Sequence, residues 1–282
     1  MAPKSQHSQG QRWASAVRWA LVLGAVILAA VLGQQASVRA LDERIHDAYI
    51  AHAPQQPAPI GVVVVDISES SLSALGPWPW PRAVLAQLSE ALRARGARVQ
   101  VWDLMLPESA AGDERLSRTL AQPDVVLGQV LVTDPAVANP PQEGRLVASA
   151  RTGVASAADV AFGGLCSQSA PVRGYLGVAP SLAPHAVGHV GATPDADGRL
   201  RRLPAVLCHE GRAYPQLALA AAQAATPDEN WSLQRGSWPW QAAQELVRGQ
   251  WRFPLDEAGW LRVPYARAVS YTHLTLPTIY SV

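Results

Sequence analysis

The sequence predicts an α/β fold: an N-terminal transmembrane helix followed by an extracytoplasmic mixed α/β domain with a largely parallel central sheet. Three observations predict this fold. Residues 13–33 form one apolar stretch. The segment from Ile60 to Glu108 has the pattern strand, loop, helix and strand, which suits a parallel crossover. Of the 282 residues, 49% are hydrophobic, which is enough to build a core.

The apolar stretch predicts a transmembrane signal anchor. Residues 13–33 carry only Arg18, which lies near the N-terminal end, where it reaches the membrane interface. At about 1.5 Å per residue, a helix of this length matches the roughly 30 Å hydrocarbon core of a bilayer. Lys4 and Arg12 precede the stretch, so residues 1–12 are expected to be cytoplasmic.

Two other interpretations of this stretch stay open. A cleaved signal peptide would need small residues before the cleavage point, and Ala36 and Ala40 are candidates, although the intervening Arg39 makes a poor site. A buried helix of a soluble protein is the second alternative. It would normally have a polar face, and residues 19–33 have none.

Residues 34–59 are expected to connect the anchor to the domain. Leu41–Tyr49 resembles a short helix with charged residues on a solvent-facing side, and residues 53–59 contain three prolines and form a linker. The juxtamembrane segment therefore combines a helix with a proline-rich connection.

The crossover unit opens the domain. Ile60–Ile67 is a nearly continuous β-branched run, which favours a strand buried on both faces. Pro81 suits the first turn of a helix, Gly96 suits its C-cap, and Arg98–Leu104 is a second apolar strand. The leucines that repeat at helical spacing between the two strands are Leu85, Leu88 and Leu92.

The rest of the domain is predicted from periodicity and turn residues. Asp195 to Gly198 contains an Asp-Gly pair, which predicts a tight hairpin turn between the strands on either side of it. Thr133–Glu143 is expected to be a surface loop. Helices are predicted over Asp113–Leu120, Pro215–Ala225 and Gln241–Arg248, and strands over Val125–Val132, Val187–Val190, Leu200–Leu207 and, as a terminal pair, within Trp251–Val263.

Residues 269–282 differ in composition from the rest of the chain. They contain no Ala, Arg or Gly, although the chain is rich in all three. The string from Ser270 to Pro277 looks like translated adapter or vector sequence. Our hypothesis is a non-native tail that begins after about Ala268, with an ordinary exposed C-terminus as the alternative. Resequencing the end of the gene tests this hypothesis, and finding the tail intact would refute it.

Several motifs of the chain resemble the second type of CHASE domain, the extracytoplasmic sensory module of bacterial cyclases, histidine kinases and related receptors. The most specific of them is Trp78-Pro79-Trp80-Pro81-Arg82. Ser68 and Leu106 depart from the acid and the Phe that the family usually carries. The other resembling segments are Val63–Glu69 with Ser71-Leu72 and Gly76, the acids Asp103, Glu108 and Asp113, Gly188-His189-Val190, Asp195–Arg199 with Arg202, and Tyr214–Ala218.

This resemblance implies that residues 60–268 form a sensor domain that is truncated at its C-terminal end. The protein would be held in the bacterial inner membrane, with this domain in the periplasm. It implies a receptor that binds a small-molecule or periplasmic ligand and acts as a homodimer. The receptor would continue into further membrane spans and an output domain, a cyclase, kinase or phosphatase, that is absent from this chain. The alternatives are a periplasmic carboxylate- or metal-dependent hydrolase and a standalone anchored binding domain.

The candidate ligand site lies where predicted parallel strands end. Asp66 and Asp103 each follow or end such a strand, and ligands of open α/β sheets bind at that edge. The same acids also suit helix caps and turns, and the tryptophans also suit core packing, so both interpretations stay open. The candidate ligand-binding residues are Asp66, Glu69, Trp78, Trp80, Arg82, Asp103, Glu108 and Asp113.

Other chemistry is not indicated. A net charge of +1 and the lack of a basic run give no reason to expect nucleic acid. No catalytic motif, metal site or cofactor is predicted, and Asp195-x-Asp197 lacks the further acids of a calcium loop. Cys166 and Cys208 are the two cysteines, and their spacing leaves open whether they form a disulfide.

Overall fold

The structure is a computed structural model that describes seven stretches of the chain. The chain divides into two compact units: one holds the described part of residues 1–61, and the other holds the described part of 62–263 together with 272–275. The described stretches are 6–33, 36–52, 61–148, 161–195, 197–236, 244–263 and 272–275.

The first unit contains two helices, α1 (Gln6–Gly33) and α2 (Ala36–His52). The predicted juxtamembrane helix is confirmed and extends several residues further in each direction than Leu41–Tyr49. Within the described stretches, no helix combines the length and the apolar character needed to cross a membrane. The anchor over residues 13–33 stays a prediction.

The second unit opens with the predicted strand, helix and strand. They are β1 (Val63–Asp66), α4 (Arg82–Ala94) and β2 (Gln100–Trp102), with a short helix α3 (Glu69–Leu75) after β1. Helix α3 begins where the Ser68 hydroxyl accepts a hydrogen bond from the Ser71 amide. Pro81 directly precedes α4, as its fixed φ favours.

The strands β1 and β2 do not pair with each other. β1 pairs in parallel with β14 (Thr272–Thr275), whereas β2 pairs in parallel with β3 (Val125–Val132). The predicted parallel crossover therefore does not produce adjacent strands. β14 lies inside the suspected tail, 269–282, and whether that tail is native stays a prediction.

The sheet around β3 is largely parallel, as predicted. β2 and β6 (Ala186–His189) flank β3 in parallel, β5 (Gly174–Leu176) pairs with it antiparallel, and β4 (Gln142–Glu143) pairs with β5 in parallel. A second five-stranded sheet is antiparallel, so the domain as a whole is mixed α/β.

β3 is buried on both faces, and its residues alternate between two layers of helices. Val125 and Leu127 join the core formed by α4 and α5 (Asp113–Leu120), whereas Val126 joins the core under α6 (Leu217–Ala225). Gly188 allows the close approach of α6, because a Cβ there would lie 2.5 Å from the Leu217 Cα. The helices predicted over Asp113–Leu120 and Pro215–Ala225 are confirmed.

The antiparallel sheet corrects one prediction and confirms another. The part of Gln241–Arg248 that the structure describes is not a helix but β11 (Gln244–Arg248). It pairs on both sides, and these ladders hold it extended. The terminal pair is confirmed as β12 (Trp251–Leu255) and β13 (Trp260–Arg262). The other strands of this sheet are β10 (Trp231–Arg235) and β7 (Arg202–Pro204).

The predicted Asp-Gly turn forms, but it does not connect a hairpin. The Gly198 amide donates to the Asp195 carbonyl at 2.8 Å, and Gly198 has a φ of +79°. The strands on either side belong to different sheets, since β6 pairs with β3 and β7 pairs with β13. The hairpin of this region is instead β8 (Val206–His209) with β9 (Arg212–Pro215).

Cys166 and Cys208 form a disulfide, with Cα atoms 5.4 Å apart. The bond links the 3₁₀ turn Cys166–Gln168 to β8 and closes a loop with a sequence separation of 42. Closing a loop of that size removes freedom from the unfolded chain and contributes about 4 kcal/mol in the chain-entropy account.

Candidate functional site

The first residues of α4 and α5 form a buried ion pair. The Arg82 Nε donates to Asp113 Oδ1 at 2.9 Å, and the two side chains are 10% and 7% exposed. A second guanidinium nitrogen of Arg82 donates to the Glu108 carbonyl at 2.8 Å. Two residues predicted for the ligand site are therefore in direct contact, and the main chain of a third completes the contact.

Asp113 receives further hydrogen bonds from two other segments. Its Oδ2 accepts from the Ala110 amide at 2.9 Å and from the Ser181 hydroxyl. Burial raises the pKa of the Asp113 carboxyl, but the hydrogen bonds from Ser181 and Ala110 and the charge of Arg82 outweigh burial and hold the pKa below its usual value. Asp113 is therefore ionised at neutral pH.

The segment that carries Ser181 runs along α5. Ser181 contacts Asp113, the Ala183 amide donates to the Ser117 hydroxyl at 3.0 Å, and the His185 amide donates to the Leu120 carbonyl at 2.8 Å. These contacts follow one side of the helix. Between α5 and this segment lies an open groove of about 500 Å³, lined by Glu114, Ser117, Arg118, Ala121 and Ser181.

The groove is open to solvent, and two charged side chains are part of its lining. Arg118 and Glu114 form an ion pair at 3.1 Å across one turn of α5, and their side chains are 70% and 91% exposed. Ser181 connects the groove directly to the buried pair through Asp113. A small polar molecule in this groove would thus meet hydroxyls, one positive group and one negative group, and would act on the same Ser181 that holds Asp113.

The two tryptophans of the Trp-Pro-Trp-Pro motif have different environments. Trp80 is buried in the core, and its Nε1 donates to the Gly76 carbonyl at 2.8 Å. Trp78 packs edge-on against Trp80 with ring centroids 5.8 Å apart and is 39% exposed. Trp80 is therefore a core residue, whereas Trp78 remains accessible.

The side chains of the remaining acidic candidates do not join this site. The side chains of Asp66, Glu69, Asp103 and Glu108 are exposed, and none of them pairs with Arg82 or Asp113 in the described structure. Asp66 ends β1 and Asp103 directly follows β2, and these two strands belong to different sheets. The two acids therefore do not lie at the edge of one sheet, and their role in ligand binding stays a prediction. Among the described residues, no group of three or more His, Cys, Asp or Glu side chains is arranged to hold a metal.

Two neighbouring arginines bond the aspartates of the Asp-Gly turn. The sequence analysis did not identify these arginines as a pair. Arg201, which is buried, donates to Asp195 at 3.0 Å and to Asp197 at 2.7 Å. Arg202 donates to Asp195 at 2.8 Å and lies 3.6 Å from Asp256. Both carboxylates are thus engaged by guanidinium groups, which favours the turn over a calcium loop. The available signal was the pair Arg201-Arg202, which begins three residues after Gly198.

These ion pairs lower the pKa of both carboxyls. For Asp197 the main cause is the hydrogen bond from Arg201. For Asp195 burial acts in the opposite direction, and the hydrogen bonds from Arg202 and Arg201 outweigh it. The turn therefore keeps its charges throughout the physiological pH range.

A family model described as the CHASE2 domain matches residues 22–281. The chain belongs to the CHASE2 family. This family consists of extracytoplasmic sensory domains of the second CHASE type. The Trp-Pro-Trp-Pro-Arg motif, the Gly-His-Val motif and the Asp-Gly turn all fall within the matched residues. No curated protein and no solved structure matched the chain in comparable searches.

His189 of the Gly-His-Val motif is a buried polar group of this CHASE2 domain. It is fully buried at the end of β6, and neither ring nitrogen has a hydrogen-bond partner among the residues that the structure describes. Burial lowers its pKa from 6.5 to about 3. β3 and α6, which pack against β6, carry no ionisable residue, and β9 carries the exposed Arg212 and the buried Tyr214. His189 is therefore neutral in the folded domain.

The buried ion pair gives a first testable prediction. In Arg82→Met, the Asp113 carboxylate loses its charge partner in a buried site, so we expect the free energy of unfolding to fall by about 3–5 kcal/mol. The matched control is Arg115→Met, which removes the exposed Arg115–Glu90 pair at 2.9 Å and should cost less than about 1 kcal/mol. Urea unfolding at pH 7 measures both, and equal costs would contradict a structural role of the pair.

His189 gives a second prediction, on acid stability. Its pKa is lower in the folded than in the unfolded state, so the unfolded state binds the extra proton and stability falls as pH falls below 6.5. Between pH 7 and 4.5, where carboxyl groups contribute little, we expect a loss of about 2.5 kcal/mol. Urea unfolding of the wild type and of His189→Leu at both pH values measures it. The variant should lose far less, and an equal loss in both proteins would show that His189 is not responsible.

Proposed function

We propose that this CHASE2 domain is the extracytoplasmic ligand-input domain of a bacterial transmembrane receptor, and that the groove beside Ser181 is its input site. The observation that carries the proposal is the match to the CHASE2 family over residues 22–281. Ser181 lines the groove and donates to Asp113, so the groove is in direct contact with the buried Arg82–Asp113 pair.

The disulfide supports the extracytoplasmic placement. Disulfides persist in oxidising compartments such as the periplasm and are rare in the reducing cytosol. Cys166 and Cys208 are the two cysteines of the chain, and they are bonded to each other. A periplasmic domain of a bacterial inner-membrane protein fits this chemistry.

Signalling from the groove follows from population shift. A ligand changes an equilibrium only if it binds one conformation more tightly than another. Ser181 is held by Asp113, and Asp113 holds α4 through Arg82. Suppose that these hydrogen bonds have two alternative arrangements. A ligand that contacts Ser181 in only one of them would increase the population of that arrangement. The receptor would act as a homodimer. The activity of its cytoplasmic cyclase, kinase or phosphatase would change with this shift in population.

Residues 13–33 are proposed to attach the domain to the inner membrane. The support is the lack of charge from residue 19 to residue 33 and the exposure of the large apolar side chains of α1. Trp19, Leu23 and Ile27 are examples of such exposed side chains, and water does not favour a surface of this kind.

Attachment and compartment can be measured together in a bacterial host. We expect the full chain to stay with membranes after alkaline carbonate extraction, because only integral proteins resist it, and a deletion of residues 13–33 to be released. Cys166 and Cys208 should react with a thiol reagent only after reduction, since an oxidising compartment keeps their disulfide. Release of the full chain, or labelling without reduction, would contradict the proposed location.

Ligand binding is tested by thermal unfolding against amino acids, amines, dicarboxylic acids and sugars. A ligand at about 100 times its Kd should raise Tm by roughly 5–10 °C, since it stabilises only the folded state. For an amino acid, Arg118→Ala should abolish the rise, because it removes the positive group of the groove that would pair with the carboxylate of the ligand.

The matched control for this variant is Arg252→Ala. Arg252 also forms a largely exposed ion pair, with Glu245 at 3.0 Å, but it does not line the groove. It should keep the full rise in Tm. A rise that both variants retain would place the ligand elsewhere. Chelator-sensitive turnover of an ester or phosphoester would instead favour the alternative of a metal-dependent hydrolase.

A further inference from the structure

Helix α2 exposes an apolar stripe that the described part of the chain does not cover. Val38, Leu41, Ile45 and Tyr49 are 40%, 57%, 60% and 71% exposed. Ala48 is exposed beside them. The spacing of three and four residues places these side chains on one side of the helix.

The opposite side of α2 is the covered one. Glu43, His46 and Asp47 are half-buried, although charged and polar side chains of an isolated helix normally face water. The half-buried side thus holds three polar side chains beside Ile50 and Ala51, whereas the large apolar side chains of the stripe are exposed. This reversal is the pattern expected of a helix whose apolar side meets another polypeptide.

The stripe also specifies the kind of partner. In the heptad repeat of a coiled coil, Val38 and Ile45 would occupy position a, and Leu41 and Ala48 would occupy position d. β-Branched residues at a with Leu at d favour two parallel helices over other coiled-coil assemblies. At the flanking positions, Arg44 of one copy would face Tyr49 of the other, a favourable cation–aromatic contact with no like-charge pair.

We propose that α2 is the self-association surface of this chain and that it pairs in parallel with α2 of a second copy. In the proposed receptor, this surface would be where the two subunits of the homodimer meet. Only this role in a receptor rests on the proposed function. Two heptads are short, so the contact is weak by itself and is best detected by trapping.

Cysteine cross-linking tests the proposal directly. Because the two native cysteines are bonded to each other, an introduced cysteine is the single free thiol of the full chain. Val38→Cys and Ile45→Cys, both at position a, should form disulfide-linked dimers at least about tenfold faster than Ala40→Cys, owing to their high effective concentration in a parallel pair. Ala40 is the control because it is exposed but lies away from the stripe.

The pattern of cross-links separates the possible outcomes. Fast reaction at both 38 and 45 supports the parallel pair. Fast reaction at 45 alone indicates antiparallel helices and overturns it, as does reaction at 40 that is as fast as at the stripe. All three positions are exposed, and α2 belongs to a different compact unit from the sensor domain, so the variants should fold normally.

A second measurement uses sedimentation of the full chain without cross-linking. Ile45→Glu should weaken self-association at least about tenfold, since each large aliphatic side chain buried at the contact is worth more than one tenfold step. Ala40→Glu adds the same charge off the stripe and should leave association unchanged. Equal behaviour of the two variants would overturn the proposal. No ligand is present, so this failure would leave the proposed ligand site intact.

Discussion

The ion pair between Arg82 and Asp113 fixes how α4 and α5 lie against each other. Each residue is the first of its helix, and the leucines that follow them pack into one core. A carboxylate in the first turn of α5 is favoured by the helix dipole, whereas a guanidinium in the first turn of α4 is disfavoured by it. Asp113 offsets that penalty, because it neutralises Arg82 at the same end of both helices.

Burying these charges costs several kcal/mol for each ion, so the pair adds little net stability compared with a well-packed apolar pair. Its contribution is to geometry. Asp113 holds the Ala110 amide and Ser181, and Arg82 holds the Glu108 carbonyl. Two loops and two helices therefore meet at one carboxylate and one guanidinium. Apolar side chains could fill the same space, but they have no directional bonds with which to position the loops.

Local signals predicted the helices of this region and the neighbouring strand. The helix over Asp113–Leu120 and the strand over Val125–Val132 have the predicted bounds, because capping, charge and apolar runs act within a few residues. Gln241–Arg248 was predicted as a helix, yet ladders with the strands on both sides hold its described part extended. The partner of Asp113 and the disulfide depend on contacts between segments far apart in sequence, which a local pattern does not specify.

The ionised state of Asp113 has a consequence for what the groove can bind. A carboxylate carries no proton, so the hydroxyl of Ser181 donates its single proton to Asp113. Ser109 lies 2.9 Å from the same hydroxyl and occupies another of its bonding positions. Any further hydrogen bond that Ser181 makes in the groove must therefore use a lone pair. A ligand recognised there has to bring a donor, such as an ammonium, amide or hydroxyl group, and Glu114 at the rim of the groove favours the same choice.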